Sequence, residues 1–178
     1  MSGGVDSAAC LDFYLSTGRT SEALHVTYGQ PAARQELLSA RSIAAYYRVP
    51  FRALRLEGAV PKRSGEIPGR NAFLLAAGLM EVQDSVSVIS LGLHGMSDYP
   101  DCSKEFLEHV QFIAESATAR KIRIAAPFID WSKSEVYRYC LERRVPLELT
   151  HSCEAADRPC GVCASCMDRE ALDASWPR

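Results

Sequence analysis

The sequence predicts an α/β fold, a parallel sheet with helices on both faces. Strand-like and helix-like runs alternate along most of the chain, which is the pattern that crossover connections impose on parallel strands. A glycine-rich stretch, Ser2-Gly3-Gly4-Val5-Asp6-Ser7, opens the first helix. Two glycines let backbone N–H groups turn inward there, and the helix adds its positive end, so the stretch reads as a phosphate cradle. Four cysteines close together near the C-terminus, Cys153, Cys160, Cys163 and Cys166, mark a separate metal segment.

Taken in order, Ser7 to Thr17 is predicted as a helix with Ala8, Leu11 and Leu15 at helical spacing, closed by Gly18. Glu22 to Tyr28 reads as a strand ending at Gly29, and Ala33 to Tyr47 as a helix halted by Pro50. Phe51 to Leu56 is the next strand. Residues 57–69 form a loop rich in Gly, Pro and charge, and Asn71 to Val82 an apolar helix with Phe73, Leu74, Ala77, Leu79 and Met80. Val86 to Leu91 is a buried-type strand. Ser103 to Arg120 is amphipathic, with Phe106, Val110, Ile113 and Ala117 on one face, and Ile122 to Ala126 is a strand before Pro127. Ser132-Lys-Ser-Glu135 is a capping box opening a helix to Arg144, whose apolar side holds Val136, Tyr139 and Cys140. In such a sheet the glycine-rich loop follows a central strand. Only Met1 precedes Ser2, so the strand expected there is absent from this sequence.

With 178 residues, 47% hydrophobic and 24% charged, one domain with a sizeable core is expected. A formal charge of -2 from 20 basic and 22 acidic residues gives no electrostatic grip on a nucleic-acid backbone, which favours a small-molecule substrate. No apolar run reaches the length of a membrane span and no leader pattern opens the chain, so the expected location is the cytosol. Of seven cysteines, four are clustered, which favours a metal over disulfides.

The loop lacks the lysine of the usual Walker pattern and has Asp6 at the helix start, with Ser2 and Ser7 as hydroxyl donors. The same residues could serve as a plain helix cap. Cys153-x6-Cys160-x2-Cys163-x2-Cys166 supplies four soft ligands, a match to a closed tetrahedral zinc site of structural type; an iron–sulfur cluster is the alternative. His151, just before them, reads as a solvated loop histidine. Arg70 could bind a carboxylate or phosphate and Asn71 could cap a helix or meet a heterocycle, although a simple turn would use the same residues. Asp98 and Asp101 flank Tyr99, a ring that could stack on a flat heterocycle whose donors the carboxylates would accept, or the stretch is a turn. Lys133 stands in the first turn of its helix, where a cation opposes the dipole; phosphate contact would explain it, and so would solvation.

Without its lysine the loop resembles that of the pyrophosphate-loop adenylating ATPases. Together, Ser-Gly-Gly-Val-Asp-Ser, Tyr28-Gly-Gln30, Pro68-Gly-Arg-Asn71, Tyr99-Pro-Asp-Cys102, Trp131-Ser-Lys-Ser-Glu135 and the four-Cys tail resemble the 7-cyano-7-deazaguanine synthase family, in order and over nearly the whole chain. The resemblance implies an HUP-type α/β fold in which residues 1–150 bind nucleotide and 151–178 form a zinc segment packed on them. It implies ATP, Mg2+, a structural zinc and a homodimer. The implied reaction adenylates 7-carboxy-7-deazaguanine; ammonia displaces AMP to give an amide, and a second adenylation dehydrates the amide to the nitrile. By the same resemblance Ser2, Gly3, Gly4, Val5, Asp6 and Ser7 hold the triphosphate, and backbone at His25, Val26 and Thr27 faces adenine. Arg70, Asn71, Asp98 or Asp101, and Tyr99 face the deazaguanine, and Lys133 stabilises charge on the attacked phosphate, with Asp6 and Ser7 beside it. The chain departs from the family at the absent first strand, in a shorter loop before Pro68, and in Gly92 to Ser97. These departures leave open an enzyme that stops at the amide or passes the activated group to another amine, including one on a protein, and a degenerate, non-catalytic protein that binds partners through its zinc tail. Transfer-RNA thiolation is disfavoured by the near-neutral charge.

Overall fold

The computed structural model describes residues 1–58, 67–95, 99–119 and 121–176. Six helices and four strands alternate as α1 (Val5–Ser16), β1 (Ala23–Thr27), α2 (Ala33–Tyr46), β2 (Phe51–Arg55), α3 (Arg70–Glu81), β3 (Val88–Ser90), α4 (Lys104–Ala117), β4 (Arg123–Ala125), α5 (Lys133–Arg143) and α6 (Ala164–Ser175) among the described residues. Short 3-10 turns cover Pro100–Cys102 and Leu147–Leu149. Both strand pairs are parallel, β1 with β2 from Ala23 opposite Phe51, and β3 with β4 from Val88 opposite Arg123. The α/β class with parallel strands and covering helices is as the sequence predicts, but the strands form two separate pairs in place of one continuous sheet.

Neighbouring strand residues point to opposite faces, which locates the helices. Ser90 of β3 meets Cys10 of α1, Oγ to Sγ 3.3 Å, whereas Ile89 lies against Gly78 of α3, so α1 and α3 cover opposite faces of β3. On the α1 side the core joins Ala8, Leu11, Ile43, Phe128, Val136 and Leu172, drawing on α1, α2, α5 and α6. Across the strands a smaller cluster packs Leu75, Val110, Ala114 and Ile124. Asp12 is buried in the first layer, where its carboxylate accepts from Tyr139 Oη at 2.7 Å, Tyr47 Oη at 3.2 Å and Arg143 Nε at 3.1 Å. Three donors compensate the desolvation of that charge and fasten α1 to α2 and α5.

Several sequence expectations need correction. Met80 is exposed, because α3 turns Leu75 and Ala77 inward. On α4 the buried residues are Val110 and Ala114, with Phe106 and Leu107 packed beside them, and Ile113 faces solvent. Tyr137 is fully buried on α5 and Tyr139 only partly, since Tyr137 reaches Asp173 of α6 through its hydroxyl. The sequence reading also passes over α6, whose polar residues hide a single apolar side. Ser132 and Glu135 close the expected capping box, and Ser103 caps α4 in the same way, its Oγ accepting from Phe106 N at 3.1 Å.

Candidate active site and metal cluster

The glycine-rich loop turns directly into α1, with Gly4 at the N-cap. Helix geometry leaves the N–H groups of Val5, Asp6 and Ser7 without intrahelical partners, since the first bond runs from Ala8 N to Gly4 O at 3.1 Å. Two hydroxyls shape the turn. Ser7 Oγ accepts from Gly3 N at 3.2 Å and donates to Gly4 O at 2.9 Å, and Ser2 Oγ accepts from Gly4 N at 3.3 Å. Gly3 has φ +87°, and a Cβ there would stand 2.7 Å from Glu36 O and 2.9 Å from Ala40 N, so the loop lies on the backbone of α2. Gly92 does the same from the other side: its Cβ would fall 2.4 Å from Asp6 O. Asp6 Oδ1 is buried with no hydrogen-bond partner among the described residues. A buried, orphaned acceptor beside unpartnered helix N–H groups fits a site completed by a bound polar group.

A cavity of about 880 Å3 opens at this loop. Ser2, Gly4, Val5, Asp6 and Ser7 line it with Val26, Arg70, Asn71 and Lys133, whereas Gly3 is packed beneath on α2. The structure thus brings together loop, arginine and lysine from three distant parts of the chain. Lys133 Nζ lies 3.4 Å from Asp168 Oδ2 of α6, so this first-turn cation has a carboxylate partner. His25 is buried behind the wall, with Nδ1 2.9 Å from Met1 O and Nε2 3.2 Å from Thr27 Oγ1. Burial lowers its pKa.

Asp101 lies outside the cavity lining and acts through Asn71. Its Oδ2 accepts from Asn71 N at 3.2 Å and its main-chain oxygen from Asn71 Nδ2 at 3.0 Å, which caps the start of α3 and fixes Asn71. Tyr99 is exposed at the start of the adjoining turn. Asp98 lies outside the described residues.

Sequence reasoning missed one wall. Tyr28, Glu36, His151 and Glu154 line the same cavity near Arg70. Gln30 organises them, accepting from Tyr28 N at 2.8 Å and donating to Glu36 Oε2 at 2.8 Å. Burial raises the pKa of Glu36, opposed by the Gln30 hydrogen bond and by the charges of His151 and Arg70. The available signal was Tyr28-Gly-Gln30 just after β1, at the carboxyl end of a strand where ligands bind in such folds. His151 is buried, unlike the solvated histidine expected: its N–H donates to Gly3 O at 2.9 Å and Nε2 lies 3.0 Å from Ala156 O.

The sulfurs of Cys153, Cys160, Cys163 and Cys166 all lie within 4.8 Å of one another, with Cys160 and Cys166 at 4.0 Å. A tetrahedral zinc with bonds of about 2.3 Å needs sulfur separations of about 3.8 Å, so the four can hold a metal ion with little movement. Cys163 N also donates to Cys160 Sγ at 3.4 Å. Together the backbone N–H groups of Val162 and Cys163 stabilise the thiolate and hold the Cys160 thiol down at about 6. Cys153 is buried and lines the cavity, so the cluster stands next to the loop and its metal would hold that wall.

The chain is similar to known proteins over most of its length. A family profile described as Queuosine biosynthesis protein QueC matches residues 1–66 and 59–174. Among curated proteins, 7-cyano-7-deazaguanine synthase of Methanoculleus marisnigri is 36% identical over 195 residues, covering 93% of this chain and 88% of its own. The enzymes of the same name from Archaeoglobus fulgidus and Acetivibrio thermocellus are 35% and 32% identical, each over 95% of this chain and over 82% and 88% of their own. No helix among the described residues is long and apolar enough to cross a membrane.

Proposed function

The chain belongs to the QueC family, and on that premise we propose that it is an ATP-dependent carbon–nitrogen ligase making 7-cyano-7-deazaguanine from the 7-carboxy compound and ammonia. The observation that carries this reading is the single cavity shared by the loop Ser2 to Ser7, Lys133 and Arg70. ATP would lie with its phosphates on the first-turn N–H groups and the Ser2 and Ser7 hydroxyls, a lysine-free cradle suited to cleavage between the α- and β-phosphates. Mg2+, when bound, would supply charge neutralisation on those phosphates, and Asp6, whose Oδ1 has no partner among the described residues, would help hold it. Adenine would sit against the backbone at Val26.

Arg70 would take the carboxylate of the deazaguanine, and Asn71, its N–H groups held by Asp101, would offer its side-chain oxygen as an acceptor to the heterocycle beside it. The carboxylate oxygen attacks the α-phosphorus and pyrophosphate leaves. Lys133 faces the charge that builds on that phosphorus, where positioning and electrostatics do most of the work. Ammonia then adds to the acyl carbon, AMP leaves with the oxygen and a proton is lost, giving the amide. A second ATP activates the amide oxygen in the same way, and loss of AMP and two protons leaves the nitrile. The functional unit would be residues 1–150 with the zinc segment 151–178 packed on them, working as a homodimer.

The test is incubation with 7-carboxy-7-deazaguanine, ATP, Mg2+ and ammonium, following product mass and nucleotide products. Nitrile with two AMP and two pyrophosphate per turnover is expected. ADP and phosphate would overturn adenylation; amide alone, or transfer to a protein amine, would overturn the nitrile assignment.

A further inference from the structure

Among the carboxylates that line the cavity, Glu22 pairs with Arg52 at 3.0 Å, Glu154 accepts from the Ser165 hydroxyl, and Asp6 stands in the first turn behind the loop itself. Glu36 is placed differently. It lies in the first turn of α2, whose backbone meets the loop at Gly3, and its side chain lines the cavity with Arg70 of α3. The charged and titratable groups around it are Arg70, His151 and Glu154, the Met1 amine and the Tyr28 hydroxyl. Glu36 therefore stands between the phosphate cradle and the arginine.

Gln30 fixes it there. That amide accepts from Tyr28 N at 2.8 Å and donates through Nε2 to Val26 O at 3.4 Å and to Glu36 Oε2 at 2.8 Å, so its orientation is set by three partners. The second oxygen, Glu36 Oε1, has no hydrogen bond among the described residues. One oxygen is held and the other is open to the cavity. Burial raises the pKa of this carboxyl, which makes it a stronger proton acceptor than a solvated glutamate. If the loop takes the phosphates and Arg70 the carboxylate end of the substrate, the linkage between acyl carbon and phosphorus falls in the part of the cavity that Glu36 lines.

We propose that Glu36 is the catalytic base of the nitrogen chemistry, with ammonia entering beside its Oε1. This inference rests on the ligase reading and deepens it. As the C–N bond forms at the acyl carbon, one proton of the nitrogen passes to Glu36, and the C–O bond to AMP breaks with its electron pair on the phosphate oxygen. Glu36 then gives the proton to water. In the second round the amide oxygen bonds to the α-phosphorus, pyrophosphate leaves, and the same nitrogen loses two protons as the C–O bond breaks and the nitrile forms. Glu36 takes these one at a time and releases each to water.

Two half-reactions test the assignment. Exchange of labelled pyrophosphate into ATP, dependent on the 7-carboxy compound and run without ammonium, reads adenylation; amide and nitrile formation with ammonium reads the nitrogen steps. Glu36→Gln keeps the side-chain shape and an oxygen for Gln30, and it should lower ammonium-dependent product formation by about 100-fold or more, with a far smaller effect on exchange. Glu36→Asp, which retains a carboxylate, should recover part of that loss. Equal losses of exchange and product in Glu36→Gln, product formation as fast as in the unsubstituted protein, or Glu36→Asp no better than Glu36→Gln would overturn the assignment and leave the ligase reading standing. Absence of exchange in the unsubstituted protein would overturn the ligase reading, and the assignment with it.

Discussion

His151 donates its main-chain N–H to the carbonyl of Gly3 across 2.9 Å. Gly3 is in the glycine-rich loop and His151 stands two residues before the first cysteine of the cluster, so one hydrogen bond joins the cysteine segment to the loop. On the far side of the cluster, Arg169 of α6 reaches Thr150 Oγ1 at 2.9 Å and Leu147 O at 3.2 Å, closing the segment onto the body.

Removing the metal should therefore disturb the loop as well as the tail. Elemental analysis of protein purified without chelator should give one zinc per chain, and Cys163→Ser should lose it. The variant should also show faster amide exchange at His151 and weaker ATP binding, because binding energy at such sites is folding energy. Iron in place of zinc, or unchanged exchange at His151 after metal loss, would refute this coupling.

Gly3→Ala should damage the loop directly. The new methyl meets backbone of α2 at 2.7 Å with φ held at +87°, and neither neighbour is a side chain that can swing away. A loss of about 1–3 kcal/mol in urea unfolding is expected, with ATP binding abolished by equilibrium dialysis. Unaltered binding would mean that the loop backbone does not contact the nucleotide.

Lys133 separates chemistry from stability. Its ion pair with Asp168 is partly exposed, at 31% and 53% of the two side chains, so Lys133→Ala should change stability by less than about 1 kcal/mol. In the proposed mechanism Lys133 faces the charge that builds at the α-phosphorus, so its loss should lower kcat by about 100- to 1000-fold with little change in KM for ATP. A higher KM at unchanged kcat would make Lys133 a ground-state binding residue instead.

His25 should make the fold acid-sensitive. Burial lowers its pKa in the folded state below the ordinary value of about 6.5. A lowered value means that the unfolded chain binds the proton first, so the contribution is present above about pH 6.5 and is lost as pH falls through the folded value. Urea unfolding at about pH 7.5 and pH 5.5, compared with His25→Gln, should show a steeper decline in the unsubstituted protein. Parallel declines would assign the acid sensitivity to other groups.

What the sequence determines is whatever depends on neighbours along the chain. Ser103 and Ser132 announce their helices because a cap bonds residues three positions away. The cysteine spacing announces the cluster because short gaps force four thiols together. Gly3 and Gly4 before Asp6 mark the loop for the same local reason. What the tertiary structure decides depends on residues brought from far away. Asp101 reads as a possible base contact until it is found capping α3 through Asn71. Glu36 and His151 are ordinary surface types until α2 and the metal segment close on Arg70 and Gly3, where burial changes what each can do.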